Sequence, residues 1–304
     1  MATLYNDSEA HKRVTFAWWN TSLAPSGDSR NCEELRQNAI EVIAYLFKVA
    51  KVDFLALGET SIEDLDSLRE LEIFEELEFR YGISKAGKSK FDICYISNPN
   101  KITILNSENI TYLKGNSTLK IAQRIDVLEN HSGTVFNLFA SHWPSRLWCD
   151  KDHPDRHTLG INLRLEVDKI LNESPNPPHI ILLGDYNDEP FDISLSHHLM
   201  ATRDIDLVNK RKHLFYNPYW SQMGQDNGEN KKRGGSYFYK SGKTTQWHTF
   251  DQIIYSHAFV SAKKWRLAQD NVHIIDVPGL AELVTSTKSK FDHIPVCGII
   301  EKVN

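Results

Sequence analysis

The chain has 304 residues, of which 40% are apolar and 25% are charged, and its formal net charge is −5 at pH 7. This composition is typical of a folded globular protein, and it excludes a mostly disordered chain, a collagen-like repeat and a long coiled coil. No apolar run approaches the roughly 20 residues that a membrane-spanning helix needs. Because the N-terminus lacks a signal-peptide pattern and the four cysteines lack paired spacing, we expect a cytoplasmic protein with free thiols.

Short strands and a few helices follow one another along the sequence, as judged from the period of the apolar residues. In chain order, the predicted elements are a strand over 14–19, a helix over 32–50, a strand over 52–57, a helix over 62–74, strands over 79–83, 91–96, 101–105, 119–128 and 134–140, a helix over 155–171, and strands over 179–183, 236–239, 250–255 and 294–300. No linker rich in Pro, Gly or Ser divides the chain, so we expect a single domain over residues 1–304.

Two pairs of stretches resemble each other weakly. Residues 54–59 (FLALGE) are similar to 180–185 (IILLGD), and residues 91–97 (FDICYIS) are similar to 250–256 (FDQIIYS). Each half of the chain would then contain a buried strand that ends in an acidic residue, followed by a strand that begins with Phe-Asp. Two such halves packed face to face predict a β-sandwich with flanking helices.

The net negative charge argues against a protein that coats nucleic acid, but it conceals a basic stretch. Residues 208–243, called here the basic segment, carry eight Lys and Arg against two acids. Seven aromatic residues lie among these cations, which is the composition of a nucleic-acid groove. A solvated surface loop fits the same composition. The groove interpretation requires the fold to bring this segment beside a catalytic site.

Polar side chains recur at the ends of the predicted strands, where a rigid scaffold presents functional groups. Each of them alone has an ordinary explanation as a turn or helix-cap residue, but the ordered set points to a site. The set consists of Asn20, Glu59, His142, Asp185, Asn187, Asp251, Asp292 and His293. Carboxylates with Asn and His, without clustered Cys, suit a hard cation such as Mg²⁺ or Mn²⁺, which usually acts on phosphate groups.

These residues lie in motifs that resemble the endonuclease/exonuclease/phosphatase superfamily, whose fold is that of pancreatic deoxyribonuclease. The matching motifs are GDYND at 184–188, DHIPV at 292–296, HWPSR at 142–146, and GSY at 235–237 with FDQII at 250–254. The HWPSR motif resembles a bacterial branch. The resemblance covers nearly the whole chain and implies an α+β fold, a four-layer α/β/β/α sandwich of two mostly antiparallel sheets with flanking helices.

The resemblance also implies a metal site. Glu59 would be the main metal ligand, assisted by Asn20 and Asp292, with Mg²⁺ as the expected ion and Mn²⁺ as the alternative. The chain departs from the usual family pattern at two neighbouring positions, because Gly58 replaces a common Gln and Phe291 replaces a common Ser. Neither change removes a reacting group, but both alter the support of the groups beside them.

Five further residues receive catalytic roles from the same resemblance. Asp185 would orient or deprotonate the attacking water. Asn187 and His142 would donate hydrogen bonds to non-bridging phosphate oxygens. Asp251 would hold His293 so that its other ring nitrogen faces the phosphate. This division of roles agrees with phosphoryl transfer, which needs positioning and charge stabilisation more than covalent chemistry.

The expected activity is hydrolysis of DNA or RNA, without an obligate protein partner. The predicted substrate contacts are Arg146, Trp143, Lys231, Lys232 and Arg233. Buried packing is the alternative for Trp143, and a surface salt bridge is the alternative for Arg146. Two other functions stay open, namely hydrolysis of inositol phosphates, phospholipids or sphingomyelin, and a non-catalytic binding module. The intact set of polar residues argues against the binding module.

Overall fold

The computed structural model describes residues 12–23, 33–86, 89–225 and 233–303. The strands in these ranges are β1 (Arg13–Asn20), β2 (Phe54–Gly58), β3 (Glu78–Tyr81), β4 (Ser84–Ala86), β5 (Ser89–Phe91), β6 (Cys94–Ser97), β7 (Ile102–Lys114), β8 (Ser117–Glu129), β9 (Thr134–His142), β10 (His179–Asp185), β11 (Ala201–Thr202), β12 (Phe215–Tyr216), β13 (Tyr237–Phe238), β14 (Trp247–His248), β15 (Asp251–Ser256), β16 (Trp265–Ile274) and β17 (Val296–Lys302).

Six α-helices are described in the same ranges. They are α1 (Glu33–Lys48), α2 (Ile62–Arg69), α3 (Pro154–Glu173), α4 (Ile205–Lys210), α5 (His257–Val260) and α6 (Leu280–Thr285). Short 3₁₀ turns cover Glu72–Phe74 and Pro218–Gln222, and a π-helical turn covers Ser194–His198. Within the described residues, no helix is both long and apolar enough to cross a membrane.

Two large sheets hold most of the strands. Sheet I has the order β16-β17-β1-β2-β6-β3, and sheet II has the order β11-β12-β15-β10-β9-β8-β7. Each sheet contains a parallel pair at its centre, β1 with β2 and β9 with β10. An antiparallel strand follows each pair, β6 beside β2 and β15 beside β10. The weak repeat in the sequence therefore has a structural counterpart, because its matched strands occupy equivalent places in the two sheets.

Alternating side chains on the strands separate the layers. Phe16 and Trp18 on β1 pack between the two sheets, whereas Ala17 and Trp19 face the outer side of sheet I. This alternation follows from the period of two along a strand. The inner layer joins residues of both sheets, so the sheets pack face to face as the sequence predicts.

The outer faces of the two sheets are covered by helices. On α1, the apolar stripe that includes Val42 and Leu46 packs with Leu55 of β2. On α3, Leu159 and Leu163 pack in the same cluster as Ile180 of β10, on the outer face of sheet II. These contacts complete four layers, and the predicted α/β/β/α sandwich is confirmed.

Several predicted boundaries differ from the observed ones. The predicted strand over 91–96 is two strands, because the chain turns at Asp92, between β5 and β6. The predicted helix over 62–74 ends at Arg69, and its start is fixed by the capping box of Ser61 and Asp64. Strand β16 was not predicted, because it lies at the edge of sheet I and a bulge interrupts its pairing between Leu267 and Val272.

Candidate active site

Four of the selected polar residues meet at one end of the sandwich. Asn20 ends β1 and Glu59 directly follows β2, while His142 ends β9 and Asp185 ends β10. Because β1 with β2 and β9 with β10 are parallel pairs, both pairs present side chains at their carboxyl ends. The packing of the two sheets brings these ends together, so that Nε2 of His142 lies 3.8 Å from Oε1 of Glu59.

Asn20 joins the two sheets at this end. Its Nδ2 donates to Oε1 of Glu59 at 3.1 Å and lies 3.4 Å from Oδ2 of Asp185. Its Oδ1 accepts the backbone N–H of Ser22 at 3.2 Å, which fixes the orientation of the amide. Asn20 therefore positions two carboxylates, and its carbonyl oxygen keeps a second lone pair for a metal.

His293 is held by a buried network. Its Nδ1 lies 2.8 Å from Oδ2 of Asp251, which also accepts the hydroxyl of Ser236, while Oδ1 of Asp251 accepts Nε1 of Trp18. The other ring nitrogen, Nε2, lies 3.7 Å from Oδ2 of Asp185. Burial opposes the positive charge, but Asp251 and the neighbouring carboxylates raise the pKa of His293 well above its usual value. The raised pKa favours the imidazolium form of the ring, and its Nε2 faces Asp185.

His142, at the end of β9, forms a similar pair with Asp92. Its Nδ1 lies 3.1 Å from each carboxylate oxygen of Asp92. Its Nε2 lies 4.0 Å from Oδ2 of Asp185, in addition to the contact with Glu59. Burial alone would lower the pKa of His142, but the Asp92 carboxylate raises it to about 9. Two positively charged imidazoles thus face the same aspartate.

Sequence reasoning did not select Asp92 as a site residue. The signal was present in the weak repeat, because aligning 91–97 with 250–256 matches Asp92 with Asp251. In the structure, both aspartates precede or begin an antiparallel neighbour of the central pair, and each contacts Nδ1 of a histidine. The two halves of the repeat therefore each supply one aspartate that holds a histidine, and each histidine–aspartate pair joins the two sheets.

Asp185 lies between these two imidazoles and is almost completely buried. Burial raises the pKa of Asp185 to about 6, and the charge of His293 opposes that rise. The backbone N–H of Asn187 donates to Oδ1 of Asp185 at 2.8 Å, and Nδ2 of Asn187 donates to the carbonyl of Trp143 at 3.1 Å. The loop after β10 thus holds both the carboxylate and the amide at the edge of the site.

The residues fit a hard divalent cation. Ligand atoms of Asp185, Asp251 and His293 lie within 4.8 Å of one another, so this buried cluster could bind a metal. Asp251 is poorly suited to bind one, because both of its oxygens already accept hydrogen bonds. Glu59 and Asp292 are better suited, since their side chains are 31% and 36% exposed and offer oxygen ligands.

The prediction that Trp143 contacts the substrate is wrong. The side chain is completely buried, its Nε1 donates to the carbonyl of Ile121 at 3.0 Å, and its ring contacts Tyr186 edge to face. It therefore packs in the core under the site and cannot contact a substrate. The indole that reaches the surface on the same loop is Trp148, which is 86% exposed.

Arg146 is tied to the loop that follows β10. Its Nε donates to the carbonyl of Asn187 at 2.8 Å, and its Nη2 forms ion pairs with Asp188 and Asp192. The guanidinium also lies 4.6 Å from the ring centre of Phe250. These contacts make Arg146 a brace for the Asn187 loop at the edge of the site, and a substrate contact remains a prediction for it.

The basic segment does not act as one surface. Arg233 pairs with Asp276 at 2.7 Å, and Lys231 and Lys232 lie outside the described residues. Lys212 lines a cleft with Ser256, at the opposite end of β15 from the site. The condition that the fold brings this segment beside the catalytic residues is therefore not met for its first part, which lies at the far end of sheet II.

The comparisons with known proteins agree with this arrangement. The model of the Endonuclease/Exonuclease/phosphatase family matches residues 24–292. The human Nocturnin catalytic domain, solved with a bound sulfate anion, is 17% identical, with a TM-score of 0.63 over 96% of this chain and 94% of that chain. A mannosyl-6-phosphatase of Bacteroides thetaiotaomicron is 15% identical, with a TM-score of 0.60 over 96% of this chain and 100% of that chain.

A third solved structure is also similar to this chain. TDP2 from D. rerio, solved with a single-stranded DNA product, is 17% identical, with a TM-score of 0.58 over 95% of this chain and 99% of that chain. A search of curated proteins gave no significant match. The structural likenesses show the shared fold, and the family match covers most of the sequence. The chain belongs to the endonuclease/exonuclease/phosphatase family, whose enzymes are hydrolytic phosphoesterases that depend on a divalent metal.

Proposed function

We propose that this phosphoesterase is a Mg²⁺-dependent nuclease, with Mn²⁺ as a substitute ion, that hydrolyses phosphodiester bonds of DNA or RNA. The convergence of two imidazolium rings on Asp185 carries the proposal. Nε2 of His293 and Nε2 of His142 lie 3.7 and 4.0 Å from the same carboxylate oxygen. Two cationic hydrogen-bond donors beside one general base are suited to bind an anionic phosphate. They can also stabilise the negative charge that develops on its oxygens in the transition state.

In the proposed mechanism, Asp185 orients the attacking water and accepts its proton. The oxygens of this carboxylate receive hydrogen bonds from Asn187 and Asn20, so its position is fixed before substrate binds. A pKa near 6 leaves the carboxylate mostly ionised at neutral pH while keeping it a useful base. Nucleophile activation therefore requires no movement of the site residues.

The two imidazolium rings stabilise the phosphate. Each ring is oriented by a carboxylate on Nδ1, so its Nε2–H is directed into the site. His142 and His293 then donate to the non-bridging oxygens, with Asn187 as a third donor. Glu59 and Asp292, with help from Asn20, would hold the divalent ion, and that ion would supply Lewis-acid polarisation of the phosphate and offset its negative charge.

An exposed loop at the edge of the site favours nucleic acid over a small phosphoester. Trp148 is 86% exposed, and Leu147 beside it is 74% exposed. They follow Arg146, which bonds to the backbone of Asn187. An exposed indole two residues after Arg146 is suited to stack on a nucleobase, and one such stacking contact stabilises binding by about 1–3 kcal/mol.

The test is a metal-supplemented panel of substrates. Purified protein should cleave single-stranded DNA, duplex DNA or RNA with Mg²⁺ or Mn²⁺, and chelation should abolish the cleavage. Glu59→Gln should lower the rate at least about 100-fold, because the main anionic metal ligand is lost. Glu76→Gln, on an exposed acidic turn, is the matched control and should retain the wild-type rate.

The same panel contains the competing substrates. Inositol phosphates, sphingomyelin and mannose 6-phosphate should be hydrolysed much more slowly than nucleic acid under identical conditions. Activity confined to one of these compounds would contradict the nuclease proposal. It would leave the family assignment unchanged.

A further inference from the structure

A third histidine–carboxylate pair lies beside the catalytic residues. Nδ1 of His248 contacts Oε1 of Glu189 at 2.9 Å. The other oxygen of Glu189 accepts the backbone N–H of Thr249 at 3.0 Å, and the backbone N–H of Glu189 donates to Asp192 at 2.7 Å. The backbone N–H of Thr249 and the side chain of Asp192 therefore hold Glu189 in place, and Glu189 fixes the orientation of the imidazole.

A row of aromatic rings in contact with one another connects this pair with the catalytic centre. The ring of His248 stacks on Phe250, with centres 4.8 Å apart and an interplanar angle of 22°. Tyr237 stacks on Phe250 at 5.3 Å and lies 4.7 Å from the ring of His293. The guanidinium of Arg146 also contacts Phe250, at 4.6 Å. His248 thus lies one ring away from His293, along the same surface.

The chemistry of this position suits an anion. The contact with Glu189 occupies Nδ1, so Nε2 lies at the opposite edge of the ring, and the side chain of His248 is partly exposed. Both ring nitrogens of a histidine can serve as donors, here Nδ1–H to Glu189 and Nε2–H to an anion. Phe250 is buried and offers little open surface for stacking a base.

We propose that His248, held by Glu189, binds a phosphate that flanks the scissile phosphate of the substrate. This subsite would recognise a phosphodiester chain, because a phosphomonoester has no second phosphate to fill it. The inference rests on the proposed nuclease function and names the part of the substrate that the site selects. His248 is then a binding residue for the chain, and Glu189 is its positioning residue.

The experiment uses short oligonucleotides with one cleavable linkage and a defined flanking linkage. In one set, the flanking phosphate on either the 5′ or the 3′ side is replaced by an uncharged methylphosphonate. Bis(4-nitrophenyl) phosphate, which has no flanking phosphate, is the reference substrate. The wild type should lose about tenfold in kcat/KM when the critical flanking charge is removed, as expected for one charge-assisted hydrogen bond.

The variant His248→Ala should lose about tenfold more kcat/KM on the charged oligonucleotide than on the reference substrate. It should also be insensitive to the methylphosphonate. Glu189→Gln should give a smaller loss of the same kind, because the one amide oxygen of Gln can still accept the Nδ1–H bond while the contact with the N–H of Thr249 is lost. His213→Ala, an exposed histidine at the other end of the sandwich, is the matched control and should retain full methylphosphonate sensitivity.

Three results would overturn the subsite. A wild type that cleaves all oligonucleotides equally well would show that no flanking charge is recognised. Equal losses for His248→Ala on both kinds of substrate would show a structural role or an aromatic contact. If the wild type cleaved no oligonucleotide, the nuclease proposal would fail first and the subsite with it.

Discussion

Asp251 and Asp92, which hold the two histidines of the site, lie at or just before the start of equivalent strands in the two sheets but have different surroundings. The side chain of Asp251 is 1% exposed, and it accepts hydrogen bonds from Trp18 and Ser236 as well as the contact with His293. The side chain of Asp92 is 26% exposed and shares its charge between His142 and Lys120. One pair is thus part of the buried core, whereas the other is partly exposed and contacts a nearby cation.

The comparison separates the tasks that each pair performs for the protein. Asp251 joins the inner core to the site, since Trp18 packs between the sheets and bonds to it. Among the described residues, the side chain of Asp92 contacts His142 and Lys120, and it serves mainly His142. Changes at Asp251 should therefore affect stability and catalysis together, and changes at Asp92 should affect catalysis with a smaller effect on stability.

The largest expected effect is that of Asp251→Asn. The change removes a buried charge that three donors share, and breaking a buried charged pair costs about 3–5 kcal/mol. Asp92→Asn should cost clearly less free energy of unfolding, because its site is partly solvated. Urea unfolding of both variants measures the difference. Equal losses of stability would contradict the distinction between a core pair and a surface pair.

A second prediction concerns the pH dependence of stability at His142. Its pKa is about 9 in the folded protein, above its unfolded value of 6.5, so the protonated ring stabilises the fold. That contribution is fully present below about pH 6.5 and is lost as the pH rises through about 9. The difference in Tm between wild type and His142→Gln should therefore be largest at acidic pH and shrink by pH 9.5. A constant difference over this range would contradict the charged pair.

The smallest expected effect comes from Lys120, which contacts the exposed pair. Its ammonium lies 3.5 Å from Oδ1 of Asp92 and lowers the pKa of His142. Lys120→Met should raise the pKa of His142 and change the stability by about 1 kcal/mol or less, as is usual for a partly exposed ion pair. NMR titration of the His142 ring measures the shift. Lys151→Met, at an exposed lysine elsewhere, is the control.

Much of this fold was predictable from the sequence. The period of apolar residues located the main strands and helices, and the GDYND and DHIPV motifs indicated the family, because these short segments carry their own signal. Asp92 was missed because one weak repeat was its only sequence signal. Trp143 was misassigned because a sequence motif does not show whether an aromatic side chain is buried or exposed.

The basic segment shows a second limit of sequence reasoning. Cations that are close in sequence were treated as one surface, but Lys212 lies at the far end of β15 and Arg233 pairs with Asp276. Conversely, Glu189 and His248 are 59 residues apart and form one pair. Such distances depend on the register of strands in sheet II, which no local pattern specifies.

The rate of Asp185→Asn tests the central claim most directly. Asn has the same shape, and its one amide oxygen can keep the contact with the N–H of Asn187, but its amide nitrogen cannot accept from Asn20 or take the proton of the attacking water. We predict that single-turnover cleavage of an oligonucleotide with Mg²⁺ at pH 7.5 falls by about 10³-fold or more, a loss within the range for a positioned general base. A correctly folded variant that cleaves at close to the wild-type rate would contradict the role of Asp185 between the two imidazolium rings.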